Sequence, residues 1–145
     1  MDAERRYLQR AVAVTALIPV IGGAYGVLFG IDGIWRSGFA DISADSHFRY
    51  LSGLLMGIGI LFWTCVPGIE TKTDLFRFLT LVVVLGGLSR LLGLYLTGVP
   101  SLVMMGALGV ELVLTPLLCL WQARVARRAE DEALPDEALP DEVDR

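Results

Sequence analysis

Four long apolar runs occupy most of the chain, and they restrict the fold to helices that cross a membrane. A spanning helix needs about 20 predominantly apolar residues, and 54% of this sequence is hydrophobic. A soluble helical bundle would place polar residues at every third or fourth position, and these runs lack that pattern. We therefore predict an all-α, antiparallel bundle of four transmembrane helices. The predicted helices cover residues 11–31, 48–66, 75–97 and 101–124.

The distribution of arginine predicts how this bundle is oriented. Cytoplasmic segments of membrane proteins carry an excess of Lys and Arg. Three segments that would share one side are basic, whereas the opposite side has only Arg36 and Arg49, offset by three aspartates. The basic side holds Arg5, Arg6, Arg10, Lys72, Arg77, Arg124, Arg127 and Arg128. We expect both termini to be cytoplasmic, with residues 1–10 as the N-terminal segment and residues 11–128 as the transmembrane domain.

The last residues have a different composition and predict a disordered tail. Half of the acidic residues behind the net charge of −4 lie here, and the pentapeptide Glu-Ala-Leu-Pro-Asp occurs twice in succession. Regular proline within a dense acidic run cannot bury a core. Residues 129–145 are therefore predicted to be a disordered acidic tail.

Small residues recur along the predicted helices at the spacing of a helix face. Because lipid gives no hydrophobic drive for helix association, close packing at small residues must supply it. The expected helix-packing residues are Gly22, Gly26, Gly30, Gly53, Gly57, Gly86 and Gly93. Such stripes predict packing and not activity.

Two charged residues, Arg90 and Glu111, fall inside apolar runs and share faces with small residues. An ionised side chain in hydrocarbon costs roughly 2.5–3.5 kcal/mol on insertion scales. At about 1.5 Å per residue, the two lie roughly 10 and 15 Å below the hairpin that joins their helices. We predict that they form an ion pair, with Arg49 above it near the outer surface.

This pair has two interpretations, and the sequence leaves both open. In the first it is a buried salt bridge that fixes the helix register. In the second it belongs to a polar pocket open to the outer face, since intramembrane ionisable groups are functional candidates. The ligand-pocket candidates are Asp32, His47, Arg49, Arg90 and Glu111.

Other chemistry finds little support in the sequence. There is one histidine, and the spacings His-x-x-x-His and Cys-x-x-Cys are absent, so we expect no metal site. Basic residues lie at helix ends without interleaved aromatics, which argues against nucleic-acid binding. No catalytic residue and no cofactor is predicted.

Three motifs resemble those of a bacterial four-helix membrane family called domain of unknown function 4345. They are Arg49-Tyr-Leu-Ser-Gly53 with Gly57-Ile-Gly59, then Gly86-Gly87-Leu-Ser-Arg90-Leu-Leu-Gly93, then Gly109-Val-Glu111-Leu. The resemblance implies a four-helix membrane protein in which Arg49, Arg90 and Glu111 are the signature polar positions. The chain is also distantly similar to DoxX-like membrane proteins. A multi-pass protein of the bacterial inner membrane is expected.

Three functions remain open at this point. The first is a non-enzymatic bundle that self-associates or serves as an accessory subunit, with the lipid bilayer and a homo-oligomer or membrane protein as partners. The second is a small binding or transport protein whose outer pocket takes an anionic or amphiphilic ligand. The third is a subunit of a membrane oxidoreductase that uses Glu111 as a proton carrier.

Overall fold

The computed structural model describes residues 2–35 and 41–133, and every regular element in those ranges is a helix. Four helical segments are long and apolar enough to cross a membrane. The predictions of an all-α chain and of four such helices are thereby confirmed. The elements are α1 (Asp2–Thr15), α2 (Leu17–Trp35), α3 (Ile42–Cys65), α4 (Thr73–Thr97), α5 (Leu102–Gly109), a π-helical turn (Val110–Leu114) and α6 (Thr115–Ala133).

The helices extend beyond the apolar runs that predicted them. α1 begins at Asp2, within the segment predicted to precede the first span, and α6 continues to Ala133. Residues 129–133 are therefore helical, and their assignment to the disordered tail is wrong. Alanine and glutamate are good helix formers and propagate a helix that has already started. Residues 134–145 and Arg36 lie outside the described residues.

Two prolines mark the irregular points of the first and last spans. Pro19 has no amide hydrogen to donate to the carbonyl of Thr15, and a short break at Ala16 separates α1 from α2. In the last span, Pro116 directly follows the π-helical turn. Both segments nevertheless remain long and apolar enough to cross a membrane.

The apolar core lies at one end of the molecule, which we call the terminal end. It holds the beginning of α1, the connection between α3 and α4, and the end of α6. The rings of Phe62 and Phe76 meet edge to face with centroids 5.1 Å apart. The core cluster comprises Leu8, Val12, Ala16, Phe62, Cys65, Ile69, Phe76, Leu79, Leu118 and Val125. We call the opposite end, where Trp35, Asp41, Gly98 and Ser101 lie, the loop end.

Polar side chains tie the elements together at the terminal end. The side-chain amide of Gln122, which is fully buried, donates to the carbonyl of Ile69 at 2.8 Å and to the hydroxyl of Thr73 at 2.9 Å. The indole of Trp63 donates to the carbonyl of Ala13 at 2.9 Å. These bonds join α6 to the α3–α4 connection and α3 to α1.

Glycines do allow close helix approach, but several differ from those predicted. A Cβ at Gly23 or Gly26 would lie within 3 Å of α3, and a Cβ at Gly59 would lie within 3 Å of α2. A Cβ at Gly87 would equally approach Leu112 on the π-helical turn. Backbone atoms of a facing segment thus come close at Gly23 and Gly59, whereas side chains fill the space at Gly26, Gly30 and Gly87.

The remaining predicted glycines do not make such contacts within the described part of the chain. A Cβ at Gly53 would make only ordinary van der Waals contact with Val27, at 3.9 Å. A Cβ would meet nothing within 4 Å at Gly22, Gly57, Gly86 or Gly93. The close contacts of α2 and α4 within the chain lie instead at Gly23 and Gly87, about 100° around the helix from Gly22 and Gly86, and packing at these four glycines stays a prediction.

Candidate functional site

Arg90 on α4 and Glu111 on the π-helical turn form a bidentate ion pair. The arginine Nε donates to Glu111 Oε2 and Nη2 donates to Oε1, each at 3.0 Å. A planar guanidinium matches a carboxylate in this parallel geometry, which adds specificity to the charge attraction. The pair predicted from helix depth is therefore present, and both carboxylate oxygens accept from the same arginine.

The backbone around Glu111 explains why the carboxylate can reach α4. Glu111 lies within the π-helical turn, where the amide and the hydroxyl of Thr115 both bond to the carbonyl of Val110. Pro116 follows and supplies no amide, so the regular α-helical ladder cannot continue through this turn. On the facing helix, Gly87 has no side chain to keep the backbone away from Glu111. Such π-helical turns occur frequently at functional sites.

A third contact completes the surroundings of Arg90. Its Nη1 points at the thioether sulfur of Met104 on α5, at 3.0 Å. The Arg90 side chain is 34% exposed and that of Glu111 is 16% exposed. The pair is therefore half-buried between α4 and the last span, with its arginine side partly open.

A second polar cluster lies at the loop end, where α2 breaks at Gly30. This glycine adopts φ 66° and ψ −165°, a backbone conformation that is almost confined to glycine. Arg49 donates to the carbonyls of Val27 and Leu28 at 2.6 and 3.3 Å and pairs with Asp45 at 2.7 Å. The arginine thus bonds to backbone oxygens that lie just before the break.

Asp45 bonds to the backbone on the other side of the same break. Its Oδ1 accepts from the amide of Ile31 at 2.8 Å, while its Oδ2 accepts from Arg49. An unpaired backbone group in hydrocarbon costs several kcal/mol, so these bonds stabilise the broken helix. The sequence interpretation missed Asp45, although its spacing of four residues from Arg49 on one helix was a usable signal.

The five pocket candidates do not form one site. Arg49 bonds to α2 and to Asp45, within the pair formed by α2 and α3. Arg90 and Glu111 belong to the pair formed by α4 and the last span. His47 is exposed and stacks on Tyr50 with ring centroids 6.4 Å apart, beside an open groove of about 630 Å³. Asp32 is exposed near the end of α2. Arg90 and Glu111 contact each other, whereas α3 carries Arg49 to α2.

Metal-binding groupings are not found in residues 2–35 and 41–133, where no three His, Cys, Asp or Glu side chains converge. A second groove, of about 600 Å³, lies at the terminal end between the start of α4 and the end of α6. Its lining includes Asp74, Arg77, Arg127 and Glu130, charges of both signs. The sequence interpretation did not predict this groove.

The sequence matches the family described as Domain of unknown function (DUF4345) over residues 7–122. That range includes both polar clusters and nearly all of the four spans. No curated protein and no solved structure matches the chain. The match supports the resemblance noted from the three motifs, and nothing in it extends to the DoxX-like proteins.

Proposed function

The chain belongs to the DUF4345 family, and from the geometry of its charged residues we propose that it is a non-catalytic membrane bundle. In this proposal it self-associates or serves as an accessory subunit of a membrane assembly. The observation that carries the proposal is the bidentate pairing of Arg90 with Glu111, because both carboxylate oxygens are bonded to the protein itself. We assign the pair the role of a clamp between α4 and the last span.

The second polar cluster supports the same function. Arg49 was a candidate for binding an anionic ligand, but its guanidinium bonds to Asp45 and to two backbone carbonyls. An adjacent carboxylate balances its charge, and its N–H groups bond to backbone carbonyls that the broken helix leaves without partners. A ligand would have to displace these bonds and leave the break at Gly30 unsatisfied.

The exposed surface supports an association with other membrane proteins. Only 17–22% of the most apolar window in each span is buried within the chain. The rest of that surface is left for lipid or for neighbouring helices. Gly86 and Gly93 on α4 leave open space outside the chain, so another helix could approach closely there.

A charge exchange tests the proposed clamp. Arg90→Glu and Glu111→Arg alone each place two like charges together, and each should lower thermal stability in detergent. Breaking a fully buried pair costs roughly 3–5 kcal/mol, and the partial exposure of Arg90 should reduce this cost. The double variant restores opposite charges and should recover most of the lost stability.

The same variants test the non-catalytic role. Native gel electrophoresis or cross-linking in membranes should show that the assembly recovers together with stability in the double variant. If stability recovers while the assembly does not, the assembly needs more from these two positions than opposite charges, and the clamp proposal fails. Ser89→Ala on the same helix, where the hydroxyl bonds only to its own helix, is the control.

A further inference from the structure

The chain contains two helix pairs, α2 with α3 and α4 with the last span, which contact each other through few elements. Among the described residues, α2 and α3 have no Cα within 8 Å of α5, the π-helical turn or α6, so contact between the pairs runs through α3, α4 and α1. Phe62 on α3 is 6% exposed, whereas Leu55 and Leu51, which share its helix face, are 40% and 48% exposed. The face that forms the core at the terminal end is therefore uncovered at the loop end.

Arg90 occupies the corresponding position on α4. Phe76, Val83 and Arg90 follow one another at intervals of seven residues and so share a face. Phe76 is buried in the core and Val83 packs against it, but the Arg90 side chain is 34% exposed. We call the partly exposed surface formed by Leu51, Leu55 and Arg90 on these two helix faces the hairpin cleft.

Arg90 has more donors than the protein uses. A guanidinium carries five N–H groups. Two of them bond to Glu111 and one points at the sulfur of Met104, which is a weak acceptor. The remaining two find no acceptor among the described residues, and a donor left unpaired in hydrocarbon is costly.

We propose that the hairpin cleft binds one membrane phospholipid, whose phosphate or ester oxygens accept from Arg90. This inference goes beyond the proposed clamp and does not depend on it. The acyl chain of the lipid lies along Leu51 and Leu55, which supply the apolar wall of the cleft. A lipid satisfies both features at once, because it joins oxygen acceptors to a hydrocarbon chain.

The depth of Arg90 in the membrane agrees with such a ligand. α4 has 25 residues, and at 1.5 Å per residue it is about 37 Å long, compared with roughly 30 Å of hydrocarbon. Arg90 lies seven residues before Thr97, about 10 Å along the helix. With the helix centred, the residue lies about 6–7 Å below the hydrocarbon boundary, and a long arginine side chain extends toward that boundary.

Native mass spectrometry after reconstitution in phosphatidylglycerol vesicles and gentle detergent extraction tests the proposal. The wild-type chain should retain one phospholipid, and Arg90→Gln should reduce that retention about tenfold, as for the loss of roughly 1.4 kcal/mol. Leu55→Trp fills the cleft without changing the ion pair and should also displace the lipid. It provides the test if Arg90→Gln does not fold.

Arg77→Gln is the matched control, since Arg77 is an exposed arginine on the same helix at the terminal end. Its retention of lipid should equal that of the wild type. The proposal is overturned if the wild type retains no phospholipid, if both cleft variants retain it fully, or if Arg77→Gln loses it equally. Retention of some other amphiphile in place of phospholipid would also overturn it. The charge exchange measures thermal stability and assembly, whereas this experiment measures lipid retention. The clamp and the lipid site can therefore fail separately.

Discussion

Asp45 and Arg49 lie one turn apart on α3 and together bond to the backbone on both sides of the break at Gly30. Asp45 accepts from the amide of Ile31, and Arg49 donates to the carbonyls of Val27 and Leu28. The two side chains also pair with each other at 2.7 Å. A single helical turn of α3 thereby stabilises an irregular turn of α2.

This relationship predicts that Gly30→Ala is strongly destabilising. A side chain in this backbone conformation costs about 1–3 kcal/mol, and the added Cβ would collide with Asp45 and Arg49. Thermal unfolding in detergent measures the effect. Gly57→Ala, where a Cβ meets nothing within 4 Å, is the control and should be neutral or slightly stabilising. Equal stability of the two variants would contradict the assigned role of the break.

Asp45→Ala and Arg49→Ala should be non-additive. Each change leaves backbone groups and one charge without a partner, at a cost of about 1–3 kcal/mol. The double variant should lose less stability than the two single losses combined, because the second change no longer strands a charge. A double-mutant cycle on unfolding free energies measures this coupling, and simple additivity would show that the pair does not act as a unit.

The neighbouring glycines of α2 should respond differently to the same change. Gly23→Leu places a side chain against Ser52 and Met56 of α3, so it should prevent close packing of α2 and lower the melting temperature. Gly22→Leu points into open space and should leave the fold intact. Circular dichroism during heating distinguishes them. A reversed order would mean that α2 is rotated by about one residue from the described packing.

Gln122 should contribute strongly to the stability of the terminal end. The side chain is fully buried, and it bonds to Ile69 and Thr73. Gln122→Leu removes both bonds and should cost about 1–3 kcal/mol, measured as a change in unfolding free energy. The control is Gln9→Leu, whose amide makes a single bond to Val66. The proposed tie between α6 and the α3–α4 connection is wrong if Gln122→Leu is the milder change.

The arginine distribution predicts a topology that fusions can test. Green fluorescent protein attached after Arg128 should fluoresce, and alkaline phosphatase attached after Val99 should be active, because the basic segments favour the cytoplasmic side. Exchanging the two reporters should silence both. The opposite pattern would place the termini outside and would leave the arginines of the terminal end without their expected role.

Some of the site was predictable from sequence, because depth along a helix depends only on residue number. The length of the runs predicts four spans, and the short turn between residues 97 and 102 fixes the relative depth of Arg90 and Glu111. Their pairing followed from that depth and from the cost of leaving either charge alone. The family match over residues 7–122 includes both residues.

Rotation of the helices about their axes was decided by the tertiary structure. The choice between Gly22 and Gly23, or between Gly86 and Gly87, is a turn of about 100° about the helix axis, and only the packing against the facing helix makes it. Hydropathy alone cannot set such a rotation, since all sides of these helices are apolar. The break at Gly30 likewise gives Arg49 its hydrogen-bond acceptors on α2, whereas Arg90 pairs with Glu111. Composition and residue number thus determined the spans and the depth of their charges, while packing between helices decided which faces and which charges meet.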